Sequence, residues 1–225
     1  MIQYRRRAHI LAFALAMLAG FVDVLGFLKL GGFFVSFMSG NSTRLAVGLA
    51  AQWGVAEIAG LLIASFVLGV IAGSLVSTIA PDEKRKAVVL ATVALALIVA
   101  AMLGRLADDR AAIIAMAMAM GCANAVFKRE GEVSIGVTYM TGTLVKLGQR
   151  IADVLCGGSR LAWVPYLLLW FALIAGAVGG ASSYRCFGLG SLWIAAAWAA
   201  ALSITAWRID FRAQPLASHG LALSA

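Results

Sequence analysis

VSFMSGNSTRL at residues 35–45 and VTYMTGTLVKL at residues 137–147 are two versions of one pattern. Four of the eleven positions are identical, and four more exchange Ser for Thr, Phe for Tyr or Arg for Lys. The pattern has company in both places. At an offset near 101, Gly20-x-x-Asp23 meets Gly121-x-x-Asn124, and further on Gly69-x-x-x-Gly73 corresponds to Gly176-x-x-x-Gly180. Apolar helices resemble one another by chance, but three motifs in one order at near-constant spacing indicate a duplicated chain. The fold is therefore to be read as two copies of one unit.

The medium of that fold follows from composition. Of 225 residues 63% are hydrophobic and 12% charged. With Gly counted in and Tyr out, the apolar share is about 72%, against roughly 45–50% apolar and about 25% charged in soluble chains. A soluble globule has too little interior to hide so much apolar side chain, which excludes a water-soluble enzyme, a nucleic-acid-binding domain and a disordered chain. Lipid is the solvent. The net charge of +8 is then first a determinant of topology, and nucleic acid is not expected as a partner. Cys122, Cys156 and Cys186 lie far apart and read as free thiols. His9 and His219 have no Cys or carboxylate at ligand spacing, so no metal site is expected. No phosphate loop, nucleophile elbow or His-Glu-x-x-His helix occurs, and neither a cofactor nor an enzymatic activity is expected.

A helix needs about 20 apolar residues to cross the hydrocarbon core. Six stretches qualify, near 9–28, 56–79, 87–104, 111–127, 161–181 and 188–207. The first follows Arg5, Arg6 and Arg7 like a signal peptide, but it runs on through Gly20-Phe-Val-Asp23 and is read as a span. Two further segments, 31–50 and 133–155, are too polar to cross lipid unaided. In the second, Leu144, Leu147, Ile151 and Val154 line one helical face while Lys146, Gln149, Arg150 and Asp153 take the other. Such segments either cross as broken helices walled off by protein or enter halfway and return. With six crossings and the amino terminus inside, 13 of the 18 basic residues fall on the cytoplasmic side, and the positive-inside rule favours that count over eight crossings.

Each copy then holds three crossings and one broken or re-entrant segment. An odd number of crossings inverts the second copy relative to the first, an architecture common among secondary transporters. The expected fold is an all-α integral membrane protein of six transmembrane helices in two inverted repeats. Residues 1–107 form the first repeat with segment 31–50, residues 108–210 the second with segment 133–155, and 211–225 a cytoplasmic tail.

The run Gly20-Phe-Val-Asp23 followed by GFFVSFMSGN at residues 32–41 resembles the signature of the YoaK-type family of bacterial multi-pass membrane proteins, domain of unknown function 1275. The resemblance covers nearly the whole chain, although Ser39 stands where Thr is commoner. It implies an integral membrane protein of about six helices and no settled activity.

Function has to come from the residues. Ser39, Gly40, Asn41, Ser42 and Thr43, and Thr141, Gly142 and Thr143, are N-cap chemistry opening a helix. They serve either as a cap that lets the chain turn or as part of a site, since a helix N-terminus suits an anion or a polar oxygen. Arg44 and Lys146 follow within a turn, and either complete an anion site or snorkel to headgroups or pair with an acid. Asp23 lies inside the first span, where an ionisable group costs about 2.5–3.5 kcal/mol on insertion scales. It pairs with Arg44 as a structural lock or titrates as a proton-coupling carboxylate, and Asn124 keeps its shape in the second copy without its charge. Gly69, Gly73, Gly176 and Gly180 read as close helix contacts. Trp53, Trp163 and Trp207 read as interfacial anchors, the methionines of the Met116–Met120 stretch as lipid-facing or packing residues, and Glu57 as a wetted span end.

These features point to a small-solute transporter or channel of the bacterial inner membrane, both termini cytoplasmic, with a small solute, anions included, bound between two half-helix N-termini. The alternative is a non-transporting membrane scaffold or sensor. The lipid bilayer and the solute are the expected partners, and a homo-oligomer is left open.

Overall fold

In lipid every backbone N–H and C=O must be paired within the protein, so long apolar runs become helices. The computed structural model describes residues 2–129, 132–133 and 140–208, with side chains over 9–127 and 140–208. Its helices are α1 (Ile2–Lys29), α2 (Met38–Ala51), α3 (Trp53–Ile79), α4 (Arg85–Arg105), α5 (Asp109–Ala123), α6 (Met140–Leu155), α7 (Val164–Phe187) and α8 (Leu192–Arg208). Apart from 3-10 turns and a two-residue antiparallel ladder between Lys128–Arg129 and Glu132–Val133, the described residues form no other regular structure. The tail 211–225, with His219, lies outside the described residues, as does 134–139 at the start of the second polar segment.

Among the described residues five helical stretches are long and apolar enough to cross a membrane: His9–Lys29, Trp53–Ile79, Arg85–Arg105, Asp109–Phe127 and Val164–Arg208. The sequence predicts six. The difference is that the last two run on as one stretch of 45 residues, because no polar loop divides them. Their break is conformational: Gly188 takes φ +54, and a 3-10 turn, Gly188–Ser191, separates α7 from α8. Pro165 sits in the first turn of α7, where its missing N–H leaves no bond unmade, and moves the start of that helix from the expected 161 to Val164. Asp108 caps α5 by accepting from Ala111 N at 3.0 Å.

Lipid tails supply no hydrophobic force between helices, so close packing of small residues holds them together. The glycines do this in two matched sets. A Cβ built on Gly69 would fall on the carbonyl of Met118, and one on Gly73 would crowd Cys122. One on Gly176 would fall on the carbonyl of Met17, and one on Gly180 would crowd Phe21. From the opposite helices, Gly121 abuts Phe66 as Gly20 abuts Leu173. Met17, Gly20 and Phe21 map onto Met118, Gly121 and Cys122 at an offset of 101, and Phe66, Gly69 and Gly73 onto Leu173, Gly176 and Gly180 at 107. The contacts rise together along both chains, so α1 runs parallel to α7 and α3 parallel to α5.

α8 lies along α4 in the opposite sense. Ser203 Oγ donates to Ala87 O at 2.8 Å and Lys84 Nζ to Trp207 O at 3.1 Å, while Leu189 packs near Gly104 at the other end. α1 and α5 are the most enclosed helices, contributing Leu15, Leu18, Val22, Leu25, Met116 and Met120 to the core. Leu68, Ile71 and Leu75 on α3, and Phe171 and Val178 on α7, face outward and suit lipid.

α2 and α3 form a helical hairpin. Only Gln52 separates them, its N–H donating to Gly48 O at 2.8 Å, and a Cβ on Gly48 would collide with the backbone of Ala56. α6 packs on α7 in the corresponding way but more loosely, with only Met140 and Thr143 buried along it.

Candidate functional site

Between Lys29 and Met38 the chain turns back beside α1. Gly31 at φ +64 and Gly32 at φ +111 make the reversal, in a region of backbone space that side chains other than glycine rarely enter. Val35 then packs against Gly26, where a Cβ would come within 2.6 Å of its Cγ1. The segment 30–37 thus runs along the final turns of α1, and α2 leads away again to its hairpin with α3. Within 31–50 the chain therefore folds back beside α1 before it enters α2.

A returning loop carries backbone groups without regular partners, and those groups cost about 1–3 kcal/mol each if buried unpaired. Two side chains meet them. Asp23 Oδ1 accepts from Val35 N at 2.9 Å and from Ser36 N at 2.7 Å, with the Phe37 amide also directed at the carboxylate. Asn41, 0% exposed, brackets Phe34: its Oδ1 accepts from Phe34 N at 3.1 Å and its Nδ2 donates to Phe34 O at 2.6 Å. The ring of Phe34 lies 5.1 Å from Phe27 and 5.2 Å from Phe37, centroid to centroid. Gly40 leaves room for that cluster, since a Cβ there would come within 2.7 Å of the Phe37 ring.

This arrangement differs from the expected cap. The residue capping α2 is Phe37, which makes no side-chain cap bond, and Ser39 to Thr43 lie inside the helix. Ser42 Oγ and Thr43 Oγ1 instead donate back to Met38 O and Ser39 O at 2.8 and 3.3 Å, because a hydroxyl within a helix reaches the carbonyl four residues earlier. Asp23 supplies from another helix the negative charge that a helix N-terminus attracts.

Asp23 and Arg44 form no ion pair among the described residues. The Arg44 guanidinium lies 4.8 Å from the centroid of the Phe33 ring and against Gly32, where a Cβ would meet its Nη2 at 2.7 Å. The cation packs on the outside of the loop whose inside Asp23 holds.

In the second copy, Asn124 Nδ2 donates to Met120 O at 3.0 Å where α5 tightens into the 3-10 turn Asn124–Phe127. Thr143 is buried, Thr141 and Lys146 are exposed, and Gly142 lies between. Lys146 has no ion pair among the described residues. Leu144, Val145 and Ile151 are exposed too, so α6 is amphipathic with its apolar face uncovered. Arg150 bonds Asp153 at 3.0 Å; Tyr166 first, and then Asp153, raise its affinity for the proton. Among the described residues α2 packs mainly on α3, and α6 on α7.

The sequence did not point to the other polar cluster. Lys29 Nζ meets Asp109 Oδ2 at 2.6 Å, and Arg110 pairs with Glu57. All four border a cavity of about 490 Å³ between the end of α1 and the starts of α3 and α5. Each charge sits at a span end, where wetting is the default, and only tertiary structure brings the three ends together.

Comparison with known proteins agrees with these motifs. A family model described as "Protein of unknown function (DUF1275)" matches residues 11–205. The UPF0700 transmembrane protein RA0705 of Rhizobium meliloti (strain 1021) is 33% identical over 213 residues, 93% of this chain and 92% of that protein. The UPF0700 transmembrane protein YoaK of Bacillus subtilis (strain 168) is 35% identical over 148 residues, 61% of this chain and 64% of its own length. No solved structure matches. With a family model over most of its length and a relative aligned nearly end to end, the chain is a membrane protein that belongs to the DUF1275 family.

Proposed function

We propose that this protein is a small-solute transporter or channel of the bacterial inner membrane, crossing six times in two inverted halves with both ends in the cytoplasm. The observation that carries the reading is the matched pair of glycine interfaces, α1 on α7 and α3 on α5, at the offsets of the duplicated sequence. Lys29 meets Asp109, so α1 ends where α5 starts, and α7 ends there with it. α8 runs back along α4, which makes α7 and α8 two crossings within one apolar stretch. In this reading three crossings per half invert the second half, and the loop 30–37 that folds back beside α1 puts polar backbone inside the membrane, as transporter sites require.

The solute in this reading is a small anion bound around the first turns of α2 and α6. Ser39, Gly40, Asn41 and Arg44 stand on one side, and Thr141, Gly142, Thr143 and Lys146 on the other. At α2 the carboxylate of Asp23 already faces the helix end, so Arg44 carries the attraction there. At α6 the matching residue is the neutral Asn124, and the helix end and Lys146 act together. The test is flux through the purified protein in liposomes, over chloride, acetate and glycerol. Saturable anion flux that falls at least tenfold in Arg44→Ala or Lys146→Ala, with a stability loss of no more than about 1 kcal/mol, is the expected result; no flux of any solute ends the transporter reading. Single cysteines at Glu83 and Leu106, in a cysteine-free background, are expected to label from opposite sides of the membrane, Glu83 from the cytoplasm.

A second reading, a non-transporting scaffold or sensor, has its own support. Asp23 and Asn41 are both engaged in holding loop backbone, which is the work of a fold as much as of a site.

A further inference from the structure

The cavity between α1, α3 and α5 has the size of a small-molecule site, which typically spans roughly 300–1,000 Å³. Its polarity is divided. Leu62 and Ile113 line it and are buried, whereas the side chains of Lys29, Asp109, Arg110 and Glu57 are 31–68% exposed. The closed end is therefore aliphatic and the open end ionic. Two cations and two carboxylates at that rim sum to zero. A ligand with one charge gains from half of the rim and is repelled by the other half. A ligand with both charges exchanges partners with both ion pairs, and pairs this exposed are held by only about 0–1 kcal/mol each.

We propose that this cavity binds a zwitterion with an apolar body. Its ammonium group faces Asp109 and Glu57, its acidic group faces Lys29 and Arg110, and its apolar part lies against Leu62 and Ile113. The assignment concerns a site separate from the first turns of α2 and α6, and it stands whether or not a solute is moved. The same chemistry has two sources: a free amphiphile of the amino-acid kind, or a zwitterionic lipid such as phosphatidylethanolamine.

The experiment uses the full chain in dodecyl maltoside at pH 7, with 2-aminooctanoate, octanoate and octylamine as probes, read by calorimetric titration and melting temperature. Saturable binding of 2-aminooctanoate at least tenfold tighter than either singly charged probe is expected for a free source. For a lipid source, phosphatidylethanolamine raises the melting temperature and phosphatidylglycerol does not. Gly54 lines the cavity, and a Cβ built there meets nothing within 4 Å. Gly54→Trp therefore fills the space without displacing backbone and is expected to abolish the effect while leaving the melting temperature of the ligand-free protein unchanged. The neutral double variant Lys29→Gln/Asp109→Asn, which keeps the rim at zero net charge, is expected to reduce the preference for the zwitterion to less than threefold. Equal binding of all three probes together with equal effects of the two lipids overturns the proposal, as does zwitterion binding that survives both variants.

Discussion

Asn41 and Thr143 hold the same place in the duplicated pattern, on helices that are packed differently. Asn41 is fully buried and closes both backbone groups of Phe34, on a helix packed tightly against α3 through Gly48. Thr143 is buried on a helix that is otherwise largely exposed and rests on α7 alone among its larger contacts. The residues one helix earlier differ in charge: Asp23 is a carboxylate that accepts from loop amides, and Asn124 is a neutral amide whose Nδ2 donates to Met120 O. The glycines, by contrast, are the same in both copies and touch matching neighbours. Steric clearance between backbones allows no substitute, so duplication preserves it. A polar anchor answers only to the loop it holds and is free to change with that loop.

The sharpest way to break this comparison is through the shared part. Gly69→Leu and Gly176→Leu each drive a side chain into a carbonyl of the facing helix. Each is expected to destabilise by more than about 4 kcal/mol, the range reserved for severe lesions, and by similar amounts in the two copies, as measured by unfolding of purified protein in micelles. A large inequality between them would mean that the interfaces are not equivalent.

Next come the anchors, where the copies are expected to differ. Asp23→Ala removes a carboxylate acceptor from loop amides and is expected to cost about 3 kcal/mol, whereas Asn124→Ala removes a neutral side chain and is expected to cost less, about 1–2 kcal/mol. Asn41→Ala is expected to fall near 2 kcal/mol and Thr143→Ala near 1 kcal/mol by the same scale. The smallest effect belongs to the cations. Arg44→Ala loses a contact over Phe33 of about 0.5–1 kcal/mol, and Lys146→Ala is expected to leave stability unchanged. Equal losses at Asp23 and Asn124 would show that the second loop is held as the first is.

Much of this was legible in advance. The apolar runs located the long helices, with the start of α1 and the end of α7 off by six or seven residues, and the repeat picked out glycines that do make close helix contacts. Two things were not legible. A carboxylate inside a span has several ways to be satisfied, and nothing in the sequence distinguishes a cation twenty-one residues later from the amides of Val35 and Ser36. The choice depends on a loop whose return is set by two glycines with positive φ. The rim of Lys29, Glu57, Asp109 and Arg110 was hidden for another reason: its members belong to three helix ends, and each alone looks like an ordinary wetted terminus.

The glycine interfaces also bear on assembly. Each joins a helix from before residue 107 to one from after it, so neither half of the chain contains both sides of either seam. A half made alone would present α1 and α3 with their small-residue faces bare. In the proposed inverted arrangement, the partner that would cover them is a second molecule of the same half inserted upside down. Two such molecules would rebuild both seams at once. Joining two such halves in one chain would fix their orientations and leave each free to acquire its own polar residues.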